Sequence, residues 1–237
     1  MTTREQIVNR QIRRWWEEQR ALAAERASSK RAPAARPVVT VSRQAGSGGT
    51  MVAELVSRRL GYDLFDRELI HAMSQLAGVH EDIVRSLDEH RGSGVDLWVD
   101  GVIRGRQFDN SDYLRTLMRI VYLIAGHGAA VIVGRGANFI LEGESVFHAR
   151  IIAPHAERQT RLMRAYGLAA AEAEEHLHRI DHNQADFVRQ HFRRDIDDPA
   201  AYHLVVNTGA IPPEATAEVI LEALSRLGWG KRTSAAQ

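Results

Sequence analysis

Gly46, Ser47, Gly48 and Gly49 stand in a row three residues after Arg43, with Thr50 next, and these types at this spacing can cradle an anion. Glycines let successive backbone N–H groups converge on phosphate oxygens. A helix starting directly afterwards adds its N-terminal dipole, and a threonine hydroxyl can face a magnesium ion. In the pattern G-x-x-x-x-G-K-[ST], with Gly48 as the second glycine, Arg43 falls at the first glycine's place, Gly49 at the lysine's and Thr50 at the hydroxyl's. Two of the four defining positions therefore differ. The fixed charge of Arg43 replaces some of the lysine's charge but neither its reach nor its shape. The same glycines would also suit a tight turn with close helix packing, so the loop alone leaves both readings open.

Other residues capable of phosphate chemistry lie further along. "VGRGAN" (133–138) follows an apolar run, and Arg135 would lie at the C-terminal end of a parallel strand, where open α/β sheets bind ligands. "FDRELI" (65–70) offers Asp66, with Arg67 and Glu68 read equally as binding residues or as solvated charges of a helix's first turn. Arg158 and Arg161 in "ERQTRLM" (157–163) have helical spacing, which suits a solvated face as well as a site. Asn207 and Thr208 in "NTG" (207–209) suit a base-side loop or an Asx or Thr turn. His178 and His182 flank Asp181 at i,i+4 spacing without a convincing third metal ligand, and "DID" (195–197) reads as a helix end.

The elements that must position these residues follow from periodicity. "VVTVS" (38–42) predicts a strand, and Met51, Val52, Leu55, Val56 and Leu60 predict the helix after the glycines. Further buried strands are expected at 62–65, 130–134, 149–153 and 203–207, their near-continuous apolar runs fitting a parallel sheet. Leu114, Leu117, Ile120, Val121 and Ile124 form a helical stripe ending near Gly126 and Gly128. A long helical stretch over about 155–194, in two or three pieces, and a last helix over about 213–227 complete the set. Strands separated by helices imply a layered α/β domain.

The chain of 237 residues, 44% hydrophobic and 26% charged, suits one domain plus an appendage. It contains no cysteine, which excludes disulfides and thiolate metal sites, and no apolar run approaches the roughly 20 residues of a membrane span. The expected location is the cytoplasm. Residues 1–36 hold nine Arg or Lys against four Glu, with Val8, Ile12, Trp15 and Leu22 at helical spacing over 4–26 and a Pro- and Ala-rich linker after them. This basic amphipathic helix is read as an arm for self-association, for packing on its own core or for a protein partner; its interrupting glutamates argue against nucleic acid. Lys30 and Lys231 are the only lysines, one in each terminal segment. The expected divisions are 1–36, a domain over 37–228 and a tail over 229–237.

"VTVSRQAGSGGTMVAELVSRRLGYDLFDRELI", "VIVGRGANFIL", "RIIAPHAERQTRLM" and "YHLVVNTG", in that order, resemble the cytidylate kinase-like proteins, a divergent branch of the P-loop nucleoside monophosphate kinases. The resemblance covers about residues 38–225, and the lysine-less loop is similar to that branch's own version. It implies an α/β three-layer sandwich with a five-stranded parallel sheet, a helical lid and, here, an N-terminal helical extension. The implied activity is ATP-dependent, Mg2+-assisted phosphoryl transfer to a nucleoside monophosphate such as CMP or dCMP. The alternative is a catalytically weak or inactive nucleotide-binding or sensing protein on the same fold. Carried over residue by residue, Gly46, Ser47, Gly48 and Gly49 would cradle phosphate, Thr50 would face Mg2+ and Arg43 would meet donor phosphates. Asp66 would belong to the acceptor site, Arg135 would anchor the acceptor phosphate, and Arg158 and Arg161 would span the transferring group. Asn207 and Thr208 would lie near the donor base. Gln184 stands where the lid is expected to carry an arginine, leaving Arg189, Arg193 and Arg194 as replacements.

Overall fold

A computed structural model describes residues 37–70, 112–143 and 145–229. The helix expected over 4–26 and most of the tail lie outside the described residues. Five parallel strands form one sheet: β1 (Val38–Arg43), β2 (Asp63–Phe65), β3 (Ala130–Val133), β4 (Val146–Ile152) and β5 (Leu204–Asn207), in the spatial order β2-β3-β1-β4-β5. The helices are α1 (Gly49–Leu60), α2 (Asp112–His127), α3 (Ala137–Ile140), α4 (His155–Tyr166), α5 (Ala170–Phe192) and α6 (Pro213–Arg226). No described helix is long and apolar enough to cross a membrane.

Strand side chains alternate between two faces, and each face has its own helical cover. Val39, Val41, Val131, Val133, Phe147, Ala149 and Ile151 pack with Val52, Ala53 and Val56 of α1 and Ala217, Ile220 and Leu224 of α6. Val38, Phe65, Ala130, Ile132 and Val146 pack with Leu114, Leu117, Met118, Val121 and Ile124 of α2 and with Phe192 at the end of α5. The result is the expected three-layer sandwich. Trp229 packs on the first of these clusters and donates its N–H to Leu224 at 2.8 Å.

The long helical stretch divides in two at Gly167, whose φ of 67° ends α4 while its N–H bonds Met163. Leu162 of α4 meets Ala173 and Leu177 of α5, and Ala45 packs against this pair. The helical hairpin thus rests on the glycine loop. At its far end Phe192 stacks on Phe139 with centroids 5.8 Å apart.

β4 begins three residues before the expected 149, because its first half carries a buried polar side chain that breaks the apolar run. His148 faces Thr40 across the β1–β4 pairing and lies 2.7 Å from its hydroxyl, while the ring stacks on His203 at 5.0 Å. One position pair further, Arg150 faces Ser42, donates to its hydroxyl at 2.8 Å and pairs with Asp197 at 2.5 Å. Two polar rungs are therefore set into the α2 side of the sheet, each satisfied by partners distant in sequence.

Burial, with His203 second, lowers the His148 pKa from its ordinary 6.5 to about 4. Between those values the unfolded chain binds a proton that the native state refuses. Stability from this site is therefore full above pH 6.5 and drains as pH falls toward 4, by up to about 3 kcal/mol. Denaturant melts at pH 7 and pH 4.5 should show the wild type losing more stability than His148→Gln. Equal losses would exclude His148 as the source.

Candidate phosphate-binding site

The glycine loop runs from the end of β1 into the start of α1. Gln44 N–H continues the sheet to Ile151 at 3.0 Å, and the Gln44 carbonyl receives both the N–H and the hydroxyl of Ser47, at 3.2 and 2.8 Å. Ser47 is fully buried and closes the turn, so its hydroxyl is spent on the loop itself. Gly46 and Gly48 adopt φ of 71° and 78°, which L side chains rarely accept. A Cβ on Gly46 would lie 2.6 Å from the Arg158 carbonyl, so α4 closes one side of the loop. Among the described residues the N–H groups of Gly46, Gly48 and Thr50 donate to no acceptor. They are the donors available to an anion at this helix start. Thr50 is exposed at the first turn of α1.

The lysine position has a steric explanation. A Cβ built on Gly49 would overlap the Cβ of Arg43 and stand 3.1 Å from both Arg43 Cγ and Ile151 Cβ. The stem of Arg43 occupies the space that any side chain at 49 needs. From there Arg43 reaches β3, where its Nη1 lies 3.1 Å from the point a Cβ on Gly134 would take. Burial, then the charge of Arg67, lowers the Arg43 pKa from its ordinary value, while Asp66 opposes the shift. The guanidinium remains charged at any physiological pH.

Gly134, Arg135 and Gly136 are three successive left-handed residues, with φ of 75°, 55° and 65°. For Arg135 that conformation costs on the order of 1 kcal/mol. It is enforced from both ends. Gly134 donates to the Val41 carbonyl at 3.0 Å, and a Cβ on Gly136 would collide with the Phe192 ring. Among the described residues the buried Arg135 Nε has no hydrogen-bond partner, and burial lowers the group's pKa, with neighbouring Tyr113 opposing and Arg67 adding to the shift. Asp66 follows β2 and accepts the Leu69 N–H through Oδ1 at 2.7 Å, capping the helical turn that starts at Arg67. Asp66 and Arg67 are both exposed.

On the other side of the loop, Arg158 and Arg161 hold protein rather than open space. Arg158 is buried and pairs with Asp181 of α5, and its Nη1 also donates to the Ala45 carbonyl at 3.3 Å. Asp181 in turn accepts the Ala45 N–H at 3.1 Å. Arg161 donates through Nη1 to the Ser47 carbonyl and Thr208 hydroxyl, at 3.0 and 2.9 Å. Its Nη2 serves the Thr208 carbonyl and Glu157, at 2.9 and 3.1 Å. Thr208 is buried and donates to the Ser47 carbonyl at 2.5 Å. Asn207 is exposed and accepts the Gly209 N–H at 2.9 Å, which is the Asx-turn geometry.

The structure thus brings Arg43, Asp66 and Arg135 together with Arg67 on one side of the loop, and Arg158, Arg161 and Thr208 on the other. Asp181 was named from sequence only as part of the suspected histidine group and not as the bridge between loop and lid that it forms, and the buried Arg150 of β4 was not singled out at all. Asp181, which flanked the suspected histidine pair, is committed to Ala45 and Arg158, while His182 pairs with Asp186 at 2.9 Å. Of "DID", Asp197 pairs with Arg150, and Asp195 accepts the Asp197 N–H at 2.9 Å in a turn after α5.

Restoring the loop lysine should damage the protein. Gly49→Lys is expected to cost about 1–3 kcal/mol by overpacking against Arg43. In an Arg43→Gly background most of that loss should disappear, a coupling of at least about 1 kcal/mol. Thermal melts of the four proteins in this cycle measure it, and additive losses would contradict the shared-space account.

The comparisons with known proteins agree with this architecture. A family model described as the cytidylate kinase-like family matches residues 38–210. A cytidylate kinase from Thermoplasma volcanium is 24% identical over 194 residues, covering 80% of this chain and 92% of the relative. Among solved structures, an uncharacterized protein from Eubacterium ventriosum covers 81% of this chain and 99% of its own, at 17% identity and a TM-score of 0.66, a likeness of fold. A shikimate kinase from Acinetobacter baumannii covers 81% and 94% respectively, at 16% identity and a TM-score of 0.43. With a matched span that includes the glycine loop, the Gly-Arg turn and the Asn-Thr-Gly segment, this chain belongs to the cytidylate kinase-like family.

Proposed function

We propose that the protein transfers the γ-phosphoryl group of ATP to the phosphate of a nucleoside monophosphate, with CMP or dCMP as the acceptor class. The observation that carries this reading is the path of Arg43. Its stem fills the lysine's space over Gly49, and its guanidinium is delivered to Gly134 beside Arg135. Positive charge is thereby kept at the ends of β1 and β3, from which the loop departs, although the lysine is gone. Family membership supports a kinase, and the CMP preference rests on the family likeness alone.

The reaction asks little covalent chemistry of the protein. An acceptor phosphate oxygen attacks the γ-phosphorus, the bond to the β,γ-bridging oxygen breaks, and ADP leaves with that electron pair. In-line positioning and neutralisation of the equatorial oxygens are what the residues supply. The loop Gly46 to Gly49 holds donor phosphates through the free backbone N–H groups of Gly46, Gly48 and Thr50, and Arg135 anchors the acceptor phosphate. Asn207 and Thr208 shape the donor-base side. Mg2+ would be held by the Thr50 hydroxyl together with phosphate oxygens, where it would offset charge on those oxygens. Thr50 fits that part because its side chain is exposed at the loop's helix start. Arg158 and Arg161 act in this reading by fixing the loop between α4 and β5, and reach the transferring group only if lid closure releases them.

A second reading is a nucleotide-binding or sensing protein with weak or no turnover. It is favoured by one observation: both terminal nitrogens of Arg161, and the Nη1 of Arg158, already serve loop carbonyls or acidic side chains.

A coupled ADP-release assay with Mg2+-ATP and a panel of ribo- and deoxyribonucleoside monophosphates separates the two. ADP release with one acceptor class, falling about 100-fold or more in kcat/KM in Arg135→Ala, is expected for the kinase. Nucleotide binding by calorimetry without any acceptor-dependent ADP establishes the sensing protein instead.

A further inference from the structure

Three arginines stand at the C-terminal ends of three neighbouring strands, in the order β2, β3, β1. Thr40 and Phe65 both pair with Ile132. Arg43 closes β1, and Arg67 and Arg135 each lie two residues past the ends of β2 and β3. The charges of Arg67 and Arg135 are both felt at Arg43, and that of Arg67 at Arg135, so the three heads gather at one end of the sheet. Gly134 has no side chain between them, and the Arg43 Nη1 lies over it.

These three differ from the other arginines around the loop. Arg150, Arg158 and Arg161 are each paired with a carboxylate. Among the described residues Arg43, Arg67 and Arg135 form no ion pair or hydrogen bond, although Arg43 is largely buried and the Arg135 Nε wholly so. Among the described residues Asp66 is the one carboxylate that acts on Arg43, and one of its oxygens caps Leu69. Like charges gathered without a full counter-charge are unfavourable in the free protein. An incoming anion would relieve the repulsion and supply the missing acceptors at once.

Building on the kinase reading, we infer that Arg43, Arg67 and Arg135 form a single guanidinium clamp for the dianionic phosphate of the acceptor nucleotide. Arg43, the loop's own arginine, then serves the acceptor rather than the donor, and Arg67 becomes a specificity-determining residue. Its charge selects phosphate monoesters over nucleosides. The backbone and stem of Arg43 belong to the donor loop and its head to the acceptor clamp, so one side chain sets the distance between the two phosphates.

The test uses the full chain and the variants Arg43→Met, which keeps the stem over Gly49, and Arg67→Gln. Arg59→Gln serves as control, since Arg59 is exposed and pairs with Glu218 at 2.7 Å on the outer surface. The probes are inorganic phosphate, CMP, cytidine and a non-hydrolysable ATP analogue. At matched ionic strength, phosphate should raise the wild-type melting temperature. Arg67→Gln should melt at or above wild type without phosphate and lose that increment, a pattern that removal of a merely structural residue would not give. CMP affinity should fall about 10-fold or more in both clamp variants while the ATP analogue changes less than about 3-fold, and Arg59→Gln should match wild type.

Equal binding of CMP and cytidine by the wild type would overturn the inference. So would loss of ATP-analogue affinity in Arg43→Met as large as the loss for CMP, or a phosphate increment that survives in Arg67→Gln. Absence of turnover with every acceptor would sink the kinase reading alone, and a phosphate increment lost in both clamp variants would still support the clamp.

Discussion

Two residues six positions apart in sequence cannot both have side chains at the mouth of this loop. Arg43 crosses the Cα of Gly49 so closely that the glycine is obligatory, and everything about the site's charge follows from that exclusion. A lysine on α1 would project a flexible point charge from the helix side. An arginine on β1 projects a planar fork from the sheet side, and the fork arrives at β3. The departure from the usual loop pattern is therefore a substitution in space as well as in sequence. The volume is still filled and a cation is still present, but it is anchored to a different element and aimed at a different neighbour.

The loop is held on its far side by a chain of contacts that joins four elements. Asp181 on α5 reaches Ala45 and Arg158, Arg161 on α4 reaches Ser47 and Thr208, and Thr208 leaves β5 to close on Ser47. Hydrogen bonds to charged groups are the stronger kind, and several of these are shielded from water. The free N–H groups of Gly46, Gly48 and Thr50 are consequently held in place before any ligand arrives. Rigidity here has a cost in freedom, because the lid helices and the loop cannot move independently while those bonds persist.

Much of the fold was legible from local pattern. The apolar runs located all five strands, the glycine cluster located the strand-to-helix turn, and the last helix was placed over nearly its full length, while the break at Gly167 was left open inside one long helical stretch. Local pattern failed where a residue's meaning depends on a distant partner. The start of β4 was missed because His148 looks solvent-seeking in a short window, yet its partner Thr40 lies 108 residues earlier. Arg158 and Arg161 showed helical spacing but not their direction, and the acceptors that fix it come from the loop and from β5. Arg43 was recognisable as a replacement for lysine charge. That its head would lie over Gly134 could not be read from sequence, since strand order places β3 beside β1.

Every cation gathered around this loop is a guanidinium, and both lysines of the chain fall in its terminal segments. Amines are the usual handles for acetyl and acyl groups, and for reagents that label nucleotide sites by attacking a loop lysine. This site offers them none. Its charge cannot be cancelled by acylation or softened by deprotonation. Chemical surveys that find kinases through a reactive amine would pass over a protein built this way.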